Sequence, residues 1–302
     1  MAEPSVCVVG AANIDLISYV PRLPRLGETL HGTRFQIGYG GKGANQAVMA
    51  ANLGARVSMV TKLGRDVFGE GTLANFRESG VDTEHVLFTD DAFSGVAPIA
   101  VDPDGHNSII IVTGANDLLS EEDIERARPA IRAASVLVCQ LEIPLEISLA
   151  ALRVAREERV MTIFNPAPAR DELPAEIYAL SDVLCPNEPE TELLTGRAAG
   201  AEAATELLAR GARSVALTLG DRGCLVVTSD SEVHVGVEPV EAVDTTGAGD
   251  AFVGSLAYFL AAGKSLPEAA ERANRIAAIS VQARGTQTSF PAAHDLPTGL
   301  LD

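Results

Sequence analysis

Hydrophobic residues along the chain follow two alternating periodicities, and this alternation predicts the fold class. Apolar residues at every third or fourth position indicate helices, whereas short β-branched runs indicate buried strands. The predicted helices are Ala44–Leu53, Phe68–Ser79, Glu121–Ala133, Leu145–Glu157, Ala201–Arg210, Ala251–Leu260 and Pro267–Ala283. The predicted strands between them are Val57–Val60, Val136–Leu141, Val160–Phe164, Val183–Pro186 and Val215–Leu219. This order favours an α/β fold with a doubly wound, mainly parallel sheet flanked by helices on both faces.

Two segments interrupt this alternation and lack a helical pattern. Residues 14–40 contain two prolines and an alternating run around Thr29–Ile37, and residues 94–113 contain two alternating strands around the turn Asp102–Gly105. We expect both segments to form a small antiparallel β lid on a single catalytic domain of residues 1–302. An exposed sheet face favours aggregation unless it is covered, so we expect a homodimer through this lid.

Composition and charge narrow the classes of partner. The 302 residues carry a formal net charge of −18, which argues against nucleic acid or an anionic membrane as a partner. The four cysteines lie in apolar runs without metal-ligand spacing, so we interpret them as buried reduced thiols. The amino terminus resembles no signal peptide, and no apolar stretch is long enough to span a bilayer. We therefore expect a cytoplasmic protein.

The stretch Asp244-Thr245-Thr246-Gly247-Ala248-Gly249-Asp250 directly precedes an apolar helical run. Small residues at a helix amino terminus expose backbone N–H groups, which bind anions and above all phosphates. A carboxylate at Asp250 conflicts with such a site unless it accepts a proton from the group that attacks the phosphate. The alternative is a glycine-rich turn in which the helix dipole favours Asp250 in the first turn.

A second glycine-rich stretch, Gly40-Gly41-Lys42-Gly43-Ala44-Asn45, precedes another predicted helix. Residues 38–43 match a dinucleotide fingerprint, but they do not follow the first strand of a βαβ unit, so nicotinamide or flavin binding is not expected. Glycines expose backbone groups, Lys42 offers three donors, and Asn45 offers a donor and an acceptor. The stretch is therefore a candidate clamp for a polyol, with a tight turn as the alternative.

Polar residues follow several predicted strands, where α/β proteins place their ligands. Asn13 and Asp15 follow the first strand, and Glu142 follows Val136–Leu141. Two carboxylates and an amide suit an uncharged ligand with several hydroxyls, although each residue is also a candidate helix cap.

Two further strand ends are candidate nucleotide contacts. Asn187-Glu188-Pro189-Glu190 offers oxygen ligands for a hydrated Mg²⁺, or simply a capping box. The stretch Thr218-Leu219-Gly220-Asp221-Arg222-Gly223 is a strand end that turns into a hairpin, and its glycines would let the backbone approach a nucleotide.

Together these stretches resemble the PfkB family of carbohydrate kinases, and the correspondence runs in order from Val6 to about Pro291. The most specific stretches are Gly40–Asn45 and Asp244–Asp250, with Asn187–Glu190 between them. Phe164-Asn165-Pro166-Ala167-Pro168-Ala169 is similar to the ribokinase branch of that family.

The resemblance implies a function and a set of site residues. The function is ATP-dependent phosphorylation of D-ribose at its 5-hydroxyl, with Asp250 as general base and the amides of Gly247, Ala248 and Gly249 as the anion hole. The implied sugar contacts are Asn13, Asp15, Gly41, Lys42, Asn45, Glu142 and Asp250. The implied ATP contacts are Asn187, Thr218, Gly220, Gly223, Gly249 and Asn274, with Mg²⁺ near Glu190. A K⁺ site is implied at Asp244, Thr246, Ser280, Ala283, Gly285 and Ser289.

Two alternatives to a ribose kinase stay open at this stage. One is a kinase for 2-deoxyribose, another sugar or a nucleoside, because the sequence alone does not rank the loss of one hydroxyl contact. The other is a non-catalytic sugar or nucleotide sensor on the same fold. A sensor has no need of Asp250, and this chain retains it.

Overall fold

The computed structural model describes residues 3–301. Its strands are β1 (Ser5–Val9), β2 (Asn13–Tyr19), β3 (Arg34–Gly40), β4 (Arg56–Gly64), β5 (Val86–Thr89), β6 (Gly95–Val101), β7 (Asn107–Ile109), β8 (Val136–Cys139), β9 (Met161–Phe164), β10 (Val183–Leu184), β11 (Ser214–Thr218), β12 (Cys224–Thr228) and β13 (Glu232–Val235). Its α-helices are α1 (Lys42–Asn52), α2 (Val67–Glu78), α3 (Glu121–Arg126), α4 (Arg128–Ala133), α5 (Leu145–Glu158), α6 (Ala175–Leu180), α7 (Glu188–Thr195), α8 (Ala201–Ala209), α9 (Ala248–Ala261) and α10 (Leu266–Ser280).

The main sheet has nine strands in the order β13-β12-β11-β10-β9-β8-β1-β4-β5. Neighbouring strands from β11 to β5 pair in parallel, and at one edge β12 pairs antiparallel with both β11 and β13. The predicted mainly parallel sheet is therefore confirmed.

Helices cover both faces of this sheet, and the side chains of β1 show how. Val6 and Val8 belong to a core that includes residues of α1, α9 and α10. Cys7 and Val9 point to the opposite face and belong to a second core that includes residues of α5 and α8. Both faces of β1 are fully buried, which explains why its sequence is a continuous apolar run rather than an alternating one.

The small sheet has four strands in the order β3-β2-β6-β7, and they come from the two segments that break the helical rhythm. β2 pairs antiparallel with β3, and β6 pairs antiparallel with β7 through the predicted turn at 102–105. The pair that joins the two segments, β2 and β6, is parallel. Alternation predicts the strands but not this direction, because the direction depends on how two distant segments meet.

Most predicted helices are confirmed within one or two residues at each end. The larger differences are at the start of α9 and the end of α10. The prediction of one helix at Glu121–Ala133 is wrong, because the chain forms α3 and α4 with a break at Ala127. Pro129 lies in the first turn of α4, where its missing N–H costs nothing, but it prevents one continuous helix. The sequence pattern also missed β5 and α6, which are short.

Two further findings concern the cysteines and the length of the helices. All four cysteines are buried and free, as predicted. In residues 3–301, no helix combines the length and the apolar character needed to cross a bilayer.

Helices α1 and α9 pack unusually closely at Gly254. A Cβ atom at this position would lie 2.6 Å from the carbonyl oxygen of Gln46 and 2.8 Å from Cβ of Met49. Only a glycine in the middle of α9 permits this approach, although glycine lowers intrinsic helix stability. The close packing brings the amino-terminal halves of the two helices together.

We predict that Gly254→Ala lowers the midpoint of thermal unfolding by several degrees, since forcing extra volume into a packed interface costs about 1–3 kcal/mol. Differential scanning calorimetry measures the change. Gly236→Ala is the matched control, because a Cβ atom there meets nothing within 4 Å. Equal unfolding temperatures for the two variants would contradict the close-packing explanation.

Candidate active site

The polar residues that the sequence places after strands meet at one edge of the main sheet. Asn13 follows β1, Glu142 follows β8, and Asn165 comes directly after β9. Asn187 follows β10, and Thr218 ends β11. These strands pair in parallel, so their carboxyl ends lie at the same edge, where α/β proteins bind their ligands.

Asp250 lies at the third position of α9, with Gly247 as the N-cap. Its side chain is buried, with a residue exposure of 7%. One carboxylate oxygen accepts a hydrogen bond from Nδ2 of Asn45 at 2.9 Å, and the other accepts one from Nε2 of Gln46 at 2.9 Å. The carboxylate is therefore held by two amide donors from α1.

The backbone beside Asp250 is open on the side of the helix terminus. In the described part of the chain, no side chain caps the first turn of α9. Gly249 is exposed, and a Cβ atom there would meet nothing within 4 Å. The N–H of Ala248 donates to the carbonyl oxygen of Thr245 at 3.2 Å, so this amide reaches an anion only if it gives up that bond. The helix terminus offers partial positive charge and donors to an anion.

Lys42 lies among three carboxylates at the start of α1. Its backbone N–H donates to Oε2 of Glu142 at 2.8 Å. The pKa of Lys42 is raised by the charges of Asp250, Glu142 and Glu190, which together outweigh the opposing effect of burial. Burial raises the pKa of Glu142, although the charge of Lys42 and its N–H oppose this. The ammonium group thus stays charged in an acidic cluster.

Gly41 sets the position of Lys42. Its φ angle is 88°, and a Cβ atom would lie 2.7 Å from the backbone nitrogen of Asn13. A glycine is needed here for both reasons, since other residues avoid positive φ. The segment after β1 and the start of α1 consequently lie in direct contact, which brings Asn13 next to the glycine-rich stretch.

Asp15 lies on β2, opposite Gly38 of β3, and no hydrogen bond to its carboxylate is found in residues 3–301. A Cβ atom at Gly40 would lie 2.6 Å from Oδ2 of Asp15, so the carboxylate points at the glycine-rich stretch. Burial raises the pKa of Asp15 to about 7, and the charges of Glu142 and Asp250 add to this. The carboxylate is held in an unfavourable state that hydroxyl donors from a ligand would relieve.

Asn13 is fixed by Asn116, a residue that the sequence interpretation missed. Nδ2 of Asn116 donates to Oδ1 of Asn13 at 2.9 Å, and Oδ1 of Asn116 accepts from the backbone nitrogen of Ala12 at 3.0 Å. Both asparagines are buried. The side-chain oxygen of Asn13 is thereby held by Asn116.

The predicted nucleotide residues lie at neighbouring strand ends, and several have structural partners. Asn187 and Glu190 form a reciprocal capping box at the start of α7. Burial raises the pKa of Glu190, and the N–H of Asn187 opposes this. Asn274 is buried and donates to the carbonyl oxygen of Val235 at 3.0 Å. Thr218 precedes the 3₁₀ turn Gly220–Arg222, and Gly223 follows it. Nucleotide contact by these residues stays a prediction.

The predicted cation residues come from two loops that the structure joins. The carboxylate of Asp244 accepts the N–H of Thr246 at 3.0 Å and the N–H of Gly285 at 2.9 Å. Burial raises the pKa of Asp244, but these bonds outweigh it and hold the pKa below its usual range. Ser280 ends α10, and Ser289 lies in the turn Gln287–Ser289. Ala283 lies in the same loop, between Ser280 and Gly285.

Amide side chains are the other feature that the sequence interpretation missed. Gln46 and the half-buried Gln287 join Asn45 and Asp250 in one hydrogen-bond network, because Nε2 of Gln287 donates to Oδ1 of Asn45 at 3.0 Å. Gln46 immediately follows the recognised glycine-rich stretch, and this adjacency was the one available signal. Gln287 has no sequence signal, since only the fold brings it to α1.

A cleft of about 540 Å³ lies between the small sheet and the loops at the start of α9. One face of the small sheet lines it, with Asp15, Ile17 and Tyr19 among others. The opposite wall includes Thr245 and Thr246 beside the helix terminus. Of the predicted site residues, Asp15, Asp244, Thr246 and Gly285 line this cleft.

Fold and site together define a class of protein. A doubly wound sheet carries an uncapped helix terminus, a buried carboxylate at that terminus and polyol-type acceptors after neighbouring strands, which is the arrangement of a small-molecule kinase. The model of the pfkB family carbohydrate kinases matches residues 3–293. This protein belongs to the PfkB family of carbohydrate kinases, as the sequence motifs predict.

Named relatives support the same assignment. The chain is 48% identical to a ribokinase of Mus musculus over 98% of this chain and 94% of the mouse protein. It is 41% identical to a deoxyribokinase of Salmonella typhi over 95% of each chain. Among solved structures, ribokinase of Arabidopsis thaliana complexed with ribose and ATP has a TM-score of 0.89 at 32% identity and covers 99% of both chains.

We predict that Asp15→Asn stabilises the ligand-free protein at alkaline pH. The folded chain raises the pKa of Asp15 from 3.8 to about 7. The folded protein tolerates the protonated carboxyl, so the loss of folding stability caused by ionised Asp15 is absent below about pH 4. This loss grows with pH and is complete above about pH 7. It then corresponds to about 4 kcal/mol.

Thermal unfolding of parent and variant between pH 4 and pH 8.5 measures this effect. The melting temperature of Asp15→Asn should exceed that of the parent by roughly 4–8 °C at pH 8.5, with little difference at pH 4. Asp171→Asn, on an exposed loop, is the control. A variant that is less stable than the parent at every pH would refute the electrostatic explanation.

Proposed function

We propose that this protein phosphorylates D-ribose at O5 with ATP, giving D-ribose 5-phosphate and ADP. The observation that carries the proposal is the carboxylate of Asp250, buried at an uncapped helix terminus and held by two amides of α1. High identity to the mouse ribokinase over nearly the whole chain supports the choice of sugar. The second sheet then acts as a lid on a single catalytic domain.

The chemistry needs one proton acceptor and one anion site, and the chain has both. Asp250 removes the proton from the 5-hydroxyl as O5 attacks the γ-phosphorus, the new O5–P bond forms, and ADP leaves with the electrons of the broken P–O bond. The amides of Gly247, Ala248 and Gly249 stabilise the charge on the transferring phosphoryl group. Asn13, Asp15, Gly41, Lys42, Asn45 and Glu142 position the sugar, because their acceptors and donors match several hydroxyls.

The ATP site lies along the carboxyl ends of β10 and β11. We assign Asn187, Thr218, Gly220, Gly223, Gly249 and Asn274 to nucleotide contacts. The residues fit a magnesium ion as well, since Asp15, Glu142, Glu190 and Asp250 outnumber the single cation Lys42. Glu190 would hold hydrated Mg²⁺, which neutralises charge on the polyphosphate when bound.

A monovalent cation site is proposed where the loops 243–246 and 280–289 meet. Asp244, Thr246, Ser280, Ala283, Gly285 and Ser289 offer a carboxylate, hydroxyls and carbonyl groups, which are the hard oxygen donors that K⁺ prefers. Asp244 already joins the two loops through its bonds to Thr246 and Gly285. A bound K⁺ would add positive charge beside the anion hole.

A second candidate substrate is 2-deoxyribose. The deoxyribokinase relative, at 41% identity, favours it over other sugars. A deoxy sugar would leave one buried acceptor without its hydroxyl donor, which costs about 1–3 kcal/mol. Purified protein with ATP and Mg²⁺, offered ribose, deoxyribose, fructose and adenosine with K⁺ and then Na⁺, separates these candidates. We expect the highest kcat/KM for ribose.

Asp250→Asn should still bind ribose and ATP but lose at least ~100-fold in kcat, since a general base contributes ~10²–10⁴. Isothermal titration measures binding, and a coupled assay for ADP measures turnover. Asp230→Asn, which removes an exposed carboxyl between β12 and β13, is the control and should keep parental turnover. Parental turnover in Asp250→Asn would refute the assignment of the base.

The outer face of the small sheet supports a homodimer. The strand register places Leu16, Phe35, Ile37 and Pro98 on the face opposite to the cleft. Phe35 and Ile37 are 59% and 53% exposed, and neighbouring Ile110 is 62% exposed. A second copy of this chain is the occupant that we propose, because symmetric pairing of two such faces covers both at once.

The free buried cysteines fit a cytoplasmic enzyme.

We predict that Phe35→Asp together with Ile110→Asp converts the dimer into a monomer, because two charges would be buried in an apolar interface. Sedimentation velocity at micromolar concentration measures the change. Val233→Asp, at an exposed position on the edge strand β13 of the main sheet, is the control and should leave the dimer intact. A parent protein that sediments as a monomer would refute the proposed interface.

A further inference from the structure

The motif Phe164-Asn165-Pro166-Ala167-Pro168-Ala169 has no part in the proposed chemistry, yet its asparagine lies close to the base. Asn165 follows β9 directly and is buried. Its Nδ2 donates to the carbonyl oxygen of Cys185 at 2.8 Å, and its Oδ1 accepts from Nε2 of Gln46 at 3.1 Å. Asn165 therefore contacts Gln46, which in turn contacts Asp250.

Gln46 is the centre of this group and has no exposed surface. Its Nε2 donates to Oδ1 of Asp250 at 2.9 Å and to Asn165, and its Oε1 accepts from Nε2 of Gln140 at 2.7 Å. Each polar atom of the side chain is thus used. Within residues 3–301, Oε1 of Gln140 has no hydrogen-bond partner, so the bonds that fix Gln46 are its own three to Asp250, Asn165 and Gln140.

The direction of each amide follows from its partners. A backbone carbonyl only accepts hydrogen bonds, so Asn165 must turn its NH₂ group to Cys185 and its oxygen to Gln46. A carboxylate also only accepts, so Gln46 must turn its NH₂ group to both Asn165 and Asp250. Neither amide can flip without losing bonds at both ends.

We infer that Gln46 is a positioning residue for phosphoryl transfer, which fixes the carboxylate of Asp250 in the orientation that accepts the substrate proton. Asn45 holds Oδ2 of Asp250 and Gln46 holds Oδ1, so the carboxylate cannot rotate about its own axis. Gln46 is sequestered from the cleft, so it acts through Asp250 and not on the sugar. The inference rests on the proposed function only in treating Asp250 as the base.

Gln46→Met tests the role by removing both donors with little change in shape. We expect kcat to fall by about 10–100-fold, since small errors in the position of a reacting group have effects of this size. The dissociation constant for the sugar should stay within about twofold, because Gln46 does not face the cleft. Parental kcat, or an equal loss in sugar affinity, would overturn the inference.

Gln46→Glu should change the pH dependence of kcat, which a purely structural role of Gln46 would not do. A protonated glutamic acid still donates to Asp250, whereas two ionised carboxylates in contact repel. The ratio of kcat at pH 6 to kcat at pH 8.5 should therefore rise at least ~10-fold relative to the parent. Asp15, Lys42, Glu142 and Glu190 also face Asp250, but they are the same in both proteins.

Asn52→Asp is the matched control, because it makes the same amide-to-carboxyl change at the far end of α1. Its pH ratio should equal that of the parent. Asn165→Ala is the second variant if Gln46→Met does not fold, and it should lower kcat with unchanged sugar affinity. A parental pH ratio in Gln46→Glu, or parental kcat in Asn165→Ala, would overturn the inference.

The assays use whichever sugar the parent phosphorylates, so a wrong choice of sugar does not affect them. If the parent phosphorylates no sugar, the proposed function fails, and the contact is tested by unfolding instead. The losses in melting temperature for Gln46→Met and Asp250→Asn should then be non-additive in the double variant. Additive losses would overturn the contact itself.

Discussion

The structure depends on the contact between the first turns of α1 and α9, where a buried carboxylate lies at a helix terminus built for anions. Asp250 alone would be unfavourable in the protein interior, because an ionised group there needs hydrogen bonds or an opposite charge. Asn45 and Gln46 supply two donors, and Lys42 supplies the charge. The close packing at Gly254 is what lets α1 reach α9.

The remaining electrostatics of the site follow from this arrangement. Asp15, Glu142 and Glu190 all lie within electrostatic reach of Asp250, and burial raises the pKa of each of the three. The ligand-free site is therefore strained, as functional sites often are. In the proposed function, the hydroxyls of the sugar donate to these acceptors, and the proposed cations near Glu190 and Asp244 offset the remaining charge.

The sequence predicted the main sheet, most helices and the small sheet, because each depends on local periodicity and turn residues. It did not predict the parallel pairing of β2 with β6, because that pairing depends on how two distant segments meet. It also did not predict the break at Ala127, because the helical pattern continues past the one proline that causes the break. Among site residues, the glycine-rich stretches were informative because glycine has few other uses at such density. Gln46, Asn116 and Gln287 were missed because amide side chains carry no signal until the fold shows their partners.

The capping box at the start of α7 shows that one sequence pattern can fit both a structural and a functional interpretation. Asn187 and Glu190 have the spacing of a helix cap, and the structure confirms that cap, yet the same residues lie at the edge that faces the site. One residue can therefore satisfy both interpretations, and spacing alone cannot separate them.

A crystal structure with D-ribose and a non-hydrolysable ATP analogue shows whether Asp250 reaches the reacting hydroxyl. It gives the distance from the carboxylate of Asp250 to O5 of the sugar. It also shows whether O5 is aligned for attack on the terminal phosphorus. We expect hydrogen-bond contact, about 2.6–3.2 Å, with the phosphorus opposite and in line. A sugar bound with its reacting hydroxyl beyond the reach of Asp250, or a phosphate bound away from the amino terminus of α9, would contradict it.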